Sequence, residues 1–176
     1  MEVTHGGLPV AAARLTTLGL YVTAREAYDM WRADPNGVRL LDVRCPEEYV
    51  FIGHAPMAQL IPMAAPIFAW DPTGTALQPW APNPDFVATV AQWADLDATI
   101  LVTCRSGGRS AMAINALAGA GFTRLYNVLD GMEGDVVNDP SSVFHGMRMK
   151  NGWRNSGLPW SYDLQPNQMT LPPRQH

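Results

Sequence analysis

At 176 residues the chain has room for one domain of ordinary size and a single buried core. Hydrophobic residues make up 47% and Gly and Pro number 15 each, a composition well short of low-complexity sequence, so the chain folds. Charged residues are only 16% and the net charge is −4, which excludes a global basic field for holding nucleic acid.

In chain order, residues 1–19 form an N-terminal extension. Thr23-Ala24-Arg25-Glu26 is a capping box, and Ala27, Met30 and Trp31 follow on one face, predicting a helix from Ala24 to about Ala33. Asp34-Pro35-Asn36-Gly37 ends it in a turn. Val38 to Val43 is a short apolar run with the pattern of a strand buried on both faces, and Pro46-Glu47-Glu48 reads as a helix first turn. Ala58 to Pro62 predicts another short strand. Residues 63–82, punctuated by Pro and Gly and carrying Phe68, Trp70 and Trp80, read as a long inserted loop. Asn83 as N-cap, Pro84 at N1 and Asp85 in the first turn then open a helix with Phe86, Val87, Val90 and Trp93 on its buried face. Thr99 to Thr103 is buried-strand sequence and runs directly into Cys104-Arg105-Ser106-Gly107-Gly108-Arg109-Ser110, followed by an Ala-rich helix to about Ala120 that Gly121 stops. Arg124 to Leu129 is a last strand. Residues 135–151 form a second insertion, and the Pro-, Gln- and Asn-rich residues 161–176 form a strap or tail. Strands alternating with helices imply an α/β fold whose parallel sheet is covered on both faces.

No apolar stretch reaches the ~18 residues needed to span a bilayer, and Met1-Glu2-Val3-Thr4-His5 lacks a cationic leader, so no membrane partner is expected. Cys45 and Cys104 cannot build a disulfide framework, which points to the cytoplasm. Of twelve cationic residues only Lys150 is a lysine, and it lies in a polar loop, which argues against Schiff-base chemistry. His5, His145 and His176 have no ligand spacing with the cysteines, and no metal is expected.

Cys104 to Ser110 is the segment that carries chemistry. A thiol at the carboxyl end of a parallel strand, ahead of a glycine turn into a helix, sits where such sheets bind ligands. Backbone N–H groups of the turn and the helix N-terminus form a cradle for anions. Together with Arg105 and Arg109 they favour the thiolate of Cys104, an anionic nucleophile facing anionic substrates. The alternative, a buried structural cysteine before an ordinary turn, does not account for the cationic flanks.

Leu41-Asp42-Val43-Arg44, Glu48-Tyr49, Gly53-His54-Ala55-Pro56, the loop Cys104 to Arg109 and the ending Trp153 to Leu158-Pro159 together resemble the rhodanese family over residues 20–160. The resemblance implies a three-layer fold with a central five-stranded parallel sheet. It also implies a six-residue active-site loop whose cysteine takes a sulfane sulfur as a persulfide and passes it on. No cofactor is implied. The donor would be a small anion, thiosulfate or a polysulfide in preference to mercaptopyruvate because Arg105 stands at the second loop position; the acceptor would be a thiol, cyanide or a sulfur-carrier protein. Gly53-His54-Ala55-Pro56-Met57-Ala58 departs from the usual Gly-His-Ile-Pro-Gly-Ala, and Gly131-Met132 stands where a glycine pair is common.

Cysteine phosphatases and arsenate reductases use the same physics with a longer loop. Here four residues separate Cys104 from Arg109, Ser110 occupies the position of a phosphatase arginine, and Thr103 replaces the histidine before the cysteine. A non-enzymatic persulfide carrier or regulatory module is the other alternative. Cys45 reads as a small buried hydrophobe rather than a resolving thiol, His54 as structural, and Asp42 with Arg44 as an orienting salt bridge beneath the loop.

Overall fold

A computed structural model describes residues 3–171, with side chains left out at 66–69 and 77–79. The chain opens with a small antiparallel hairpin, β1 (Thr4–His5) and β2 (Leu8–Pro9), turned by Gly6 and Gly7 at φ +58° and +78°. Positive φ at both central residues is what a two-residue hairpin turn demands. Next come β3 (Tyr21–Val22), α1 (Ala24–Ala33), β4 (Val38–Asp42) and β5 (Ala58–Leu60). A second hairpin, β6 (Ala64–Trp70) and β7 (Leu77–Pro82), precedes α2 (Phe86–Trp93), β8 (Thr99–Thr103), α3 (Gly108–Gly119) and β9 (Leu125–Val128).

Five strands form one parallel sheet in the order β3-β9-β8-β4-β5. Its alternation follows the two-residue period of a strand. Leu41, Val43, Ile100 and Val102 face a core with Phe86 and Val90 of α2 and Ile114 and Leu117 of α3. Leu40, Leu101 and Val128 face the opposite core, with Ala24 and Ala27 of α1, Tyr49 and Trp153. Burial on both faces explains why β8 reads as an unbroken apolar run; all five of its residues are buried. The expected three-layer α/β fold with a central five-stranded parallel sheet is therefore present.

Three local expectations are corrected. Residues 63–82, expected as a loop, form the β6–β7 hairpin, because Asp71 builds its turn: its carboxylate accepts from the backbone N–H of Thr75 and Ala76 and from the Thr73 hydroxyl, while Gly74 takes φ +71°. The helix expected from Asn83 begins only at Phe86; Asn83 instead closes a turn ahead of it, accepting from the Asp85 N–H at 3.1 Å. The turn at Pro46-Glu47-Glu48 leads into a single wide turn with π-type hydrogen bonding over Glu48–Ile52. Phe68, singled out with Trp70 and Trp80, has its side chain outside the described residues, as do residues 172–176.

The C-terminal segment is a strap through Thr170. Ser161 bridges His54, Met169 bridges Leu60, and the Thr170 N–H donates to the Leu60 carbonyl at 2.9 Å, covering the free edge of β5. Trp153 anchors this segment. Its ring is fully buried, edge-on to Tyr28 with centroids 5.9 Å apart, and its N–H donates to the Pro159 carbonyl at 3.0 Å. Trp153→Ala is expected to cost about 3–5 kcal/mol in chemical denaturation, the range for emptying a large aromatic site; a loss under 1 kcal/mol would show that the segment is not integral to the core.

Candidate active site

Cys104 follows β8 directly and is 1% exposed, at the carboxyl edge of the sheet. Its sulfur accepts from the Gly107 N–H at 3.2 Å and lies 3.4 Å from the Ser110 Oγ. Gly107 takes φ +89° and carries no side chain because a Cβ there would collide with the Leu129 carbonyl oxygen. Gly131, at φ +58°, presses from the other side, where a Cβ would stand 2.6 Å from the Cys104 carbonyl oxygen. Its neighbours clamp the loop through backbone bonds: Met132 N–H to the Cys104 carbonyl at 2.8 Å, and Glu133 N–H to the Arg105 carbonyl at 3.0 Å. The strand end after β9 thus shapes the loop after β8.

A buried amide orients the far side of the sulfur. Asn127 donates both amide hydrogens, to the Arg14 carbonyl at 2.9 Å and the Gly107 carbonyl at 3.1 Å, which fixes its oxygen toward Ser110. The Ser110 hydroxyl accordingly donates to the Asn127 Oδ1 at 2.6 Å. Its lone pairs then face Cys104 and can accept from a thiol S–H; to serve a thiolate or a terminal sulfur the hydroxyl must turn.

Arg109 occupies the end of the loop, and both of its terminal nitrogens are committed. They donate to the two Glu48 carboxylate oxygens at 2.6 and 2.5 Å, while the guanidinium lies 5.1 Å from the centre of the Trp80 ring. Burial works against both charges, but each outweighs it for the other: Arg109 is raised above its ordinary pKa and Glu48 is lowered below the usual carboxylate range. Glu48 also accepts from the backbone N–H and the thiol of Cys45, each at 3.2 Å. Burial, with the Glu48 charge beside it, pushes the Cys45 thiol up to about 12, a poor nucleophile at neutral pH.

Arg105 is exposed and belongs to none of the five ion pairs among the described residues. Ser106 is half-buried and Gly108 opens α3. Asp42 and Arg44 form a fully buried pair, Arg44 Nη2 to Asp42 Oδ2 at 2.7 Å; the same nitrogen reaches the Gly53 carbonyl at 2.8 Å and ties the turn before β5 to the end of β4. His54 is buried and stacked on Tyr49 with centroids 3.7 Å apart.

The rhodanese-like domain model matches residues 23–136. The chain belongs to the rhodanese-like domain family. A solved Mycobacterium tuberculosis protein, Rv0390, is 31% identical with a TM-score of 0.62, covering 81% of this chain and 96% of its own. An uncharacterized Rickettsia conorii protein is 29% identical over 80% of this chain and 96% of its own length. Thiosulfate sulfurtransferase 16, chloroplastic, of Arabidopsis thaliana is 34% identical over 62% of this chain and 81% of its own. The matched span holds four of the five sheet strands, the Cys104 loop and the Asp42–Arg44 pair, whereas β3, in the first 22 residues, and everything after residue 136 lie outside it.

Sequence reasoning missed Glu48 and Asn127 as parts of the site. A buried-strand pattern interrupted by one amide, Leu125-Tyr126-Asn127-Val128, was the available signal for the second. For Glu48 the signal was an arginine inside a tight loop, which requires a counter-charge. Because Glu48 has its folded pKa lowered, the stability it contributes is complete above the ordinary carboxylate value of about 4.3 and is lost as pH falls through its folded value. Glu48→Gln is thus expected to be about 1.5–3 kcal/mol less stable than the parent at pH 7, with the gap closing under acid; a gap independent of pH in urea titrations would contradict the pairing.

Proposed function

We propose that this rhodanese-like domain is a sulfurtransferase that works by double displacement through Cys104. The observation that carries the reading is the Cys104 sulfur held by the Gly107 N–H inside a loop only six residues long, with Arg105 exposed beside it. The matched relative named a thiosulfate sulfurtransferase supports the same class of reaction.

In the first half-reaction the Cys104 thiolate attacks the outer, sulfane sulfur of thiosulfate. A Cys–S–S⁻ persulfide forms, the bond between the two donor sulfurs breaks, and its electron pair leaves on sulfite. In the second, a thiophilic acceptor attacks the terminal sulfur and the Cys104 thiolate leaves; with cyanide the product is thiocyanate. A thiol or a sulfur-carrier protein serves equally as acceptor. No cofactor or metal enters either step. The two free cysteines fit a reducing cytoplasm.

The two loop arginines divide the work unequally. Arg109 is neutralised by Glu48 and holds the loop's shape, so Arg105 is the cation left to meet the donor's sulfonate. A phosphoryl group with three oxygens needs a wider cradle than this loop offers, whereas one terminal sulfur fits the narrower one.

The protein is expected to release sulfite from thiosulfate in the presence of cyanide and to leave small aryl phosphates intact. Phosphate release that vanishes in Cys104→Ser would overturn the reading. Arg105→Ala is expected to raise KM for thiosulfate about 10- to 100-fold with a small change in kcat, the 1.5–3 kcal/mol of a charged hydrogen bond; an unchanged KM would remove Arg105 from donor binding.

A further inference from the structure

A cleft of about 640 Å³ lies beside the Cys104 loop, within the range of small-molecule sites. Its lining includes Leu8, Pro9 and Val10 of the N-terminal hairpin segment together with Arg25, Lys150 and Ser156. Most of this lining lies outside residues 23–136, the span that the family model matches. Leu129 and Arg14 also line it, the same residues against which Gly107 packs.

The charges within it are unevenly satisfied. Asp130 accepts from the Ala24 N–H at 2.7 Å and the Gly152 N–H at 2.9 Å, one on each carboxylate oxygen. Asp135 is paired with Arg14 and receives the Asn151 amide at 3.1 Å. His5 is held by Glu26 at 2.7 Å. The five ion pairs among the described residues include neither Arg25 nor Lys150. The acids are thus already bonded from within, and the two groups in no ion pair among the described residues are cations, Lys150 near enough to Asp135 for its charge to help lower that carboxyl's pKa. Leu8, which lines the same cleft, is 72% exposed, a large apolar side chain presented to solvent.

We infer that this cleft binds an organic anion, a carboxylate or phosphate head on an apolar or planar body. Arg25 and Lys150 take the head, and Leu8, Pro9 and Val10 cover the body. The site goes beyond sulfur transfer and does not depend on it, since its lining does not include Cys104.

The full chain, labelled with nitrogen-15, should be titrated in two-dimensional amide NMR with octanoate in one arm and ADP in the other. At least one probe is expected to shift the amides of Val10, Arg25, Leu129 and Lys150 saturably, with a dissociation constant below ~1 mM; octanoate saturation identifies a carboxylate site and ADP saturation a phosphate site. The Arg25→Glu, Lys150→Glu double variant, both positions being exposed, should keep its melting temperature and lose at least tenfold in affinity. No saturable shift with either probe overturns the inference. So does equal affinity in the folded double variant, or saturable shifts confined to residues away from this cleft. Because the readout is binding, either result leaves the sulfur-transfer assay unaffected.

Discussion

The ion pair between Arg109 and Glu48 is the interaction on which the site depends. A loop of six residues that turns β8 into α3 places a guanidinium largely out of water, and an unpaired charge there would cost several kcal/mol. Glu48 supplies two short hydrogen bonds at once, and the ring of Trp80 covers the guanidinium. Three separate parts of the chain therefore meet at one side chain: the turn after β4, the β6–β7 hairpin and the Cys104 loop. Glu48 is also the group beside Cys45, so the carboxylate that keeps the loop closed adds its charge to the burial that keeps the second thiol protonated.

The backbone of the loop is set from a different direction. Gly107 meets the Leu129 carbonyl and Gly131 meets the Cys104 carbonyl, two approaches that leave no room for a Cβ. The buried amide of Asn127 ties Gly107, Ser110 and the Arg14 backbone into one network. Position in the sheet explains this: β9 is the neighbour of β8, so the residues leaving its carboxyl end are the ones that crowd Cys104. A site at the carboxyl edge of a parallel sheet is built by adjacent strand ends, and here the amide in β9 matters as much as the thiol after β8.

How much was legible in the sequence follows from range. The capping box at Thr23 to Glu26 is present in both halves, because its partners lie three residues apart. The strands Val38–Asp42 and Thr99–Thr103 appear where short apolar runs predict them, and Gly121 at φ +101° follows the end of α3. The Cys104 loop was legible as a strand-to-helix turn too, since the thiol, the glycine turn and the arginines are contiguous. What sequence reading missed is long-range pairing. The loop arginine and the lone amide in β9 signal that partners are needed, but the distance along the chain from Glu48 to Arg109, and from Arg14 to Asn127, hides which residues those are, and the β6–β7 hairpin was hidden by Pro and Gly residues that read as loop punctuation. At Gly6-Gly7 the signal was local, two glycines between short segments, and would have predicted the first hairpin.

The central claim is that Cys104, and not Cys45, carries the sulfur. The direct measurement is intact-mass spectrometry followed by peptide mapping after brief incubation with thiosulfate and removal of excess donor. The account predicts a gain of one sulfur atom on the peptide containing Cys104, retained in Cys45→Ser and absent in Cys104→Ser. Sulfur found on the Cys45 peptide, or persisting in Cys104→Ser, would contradict it.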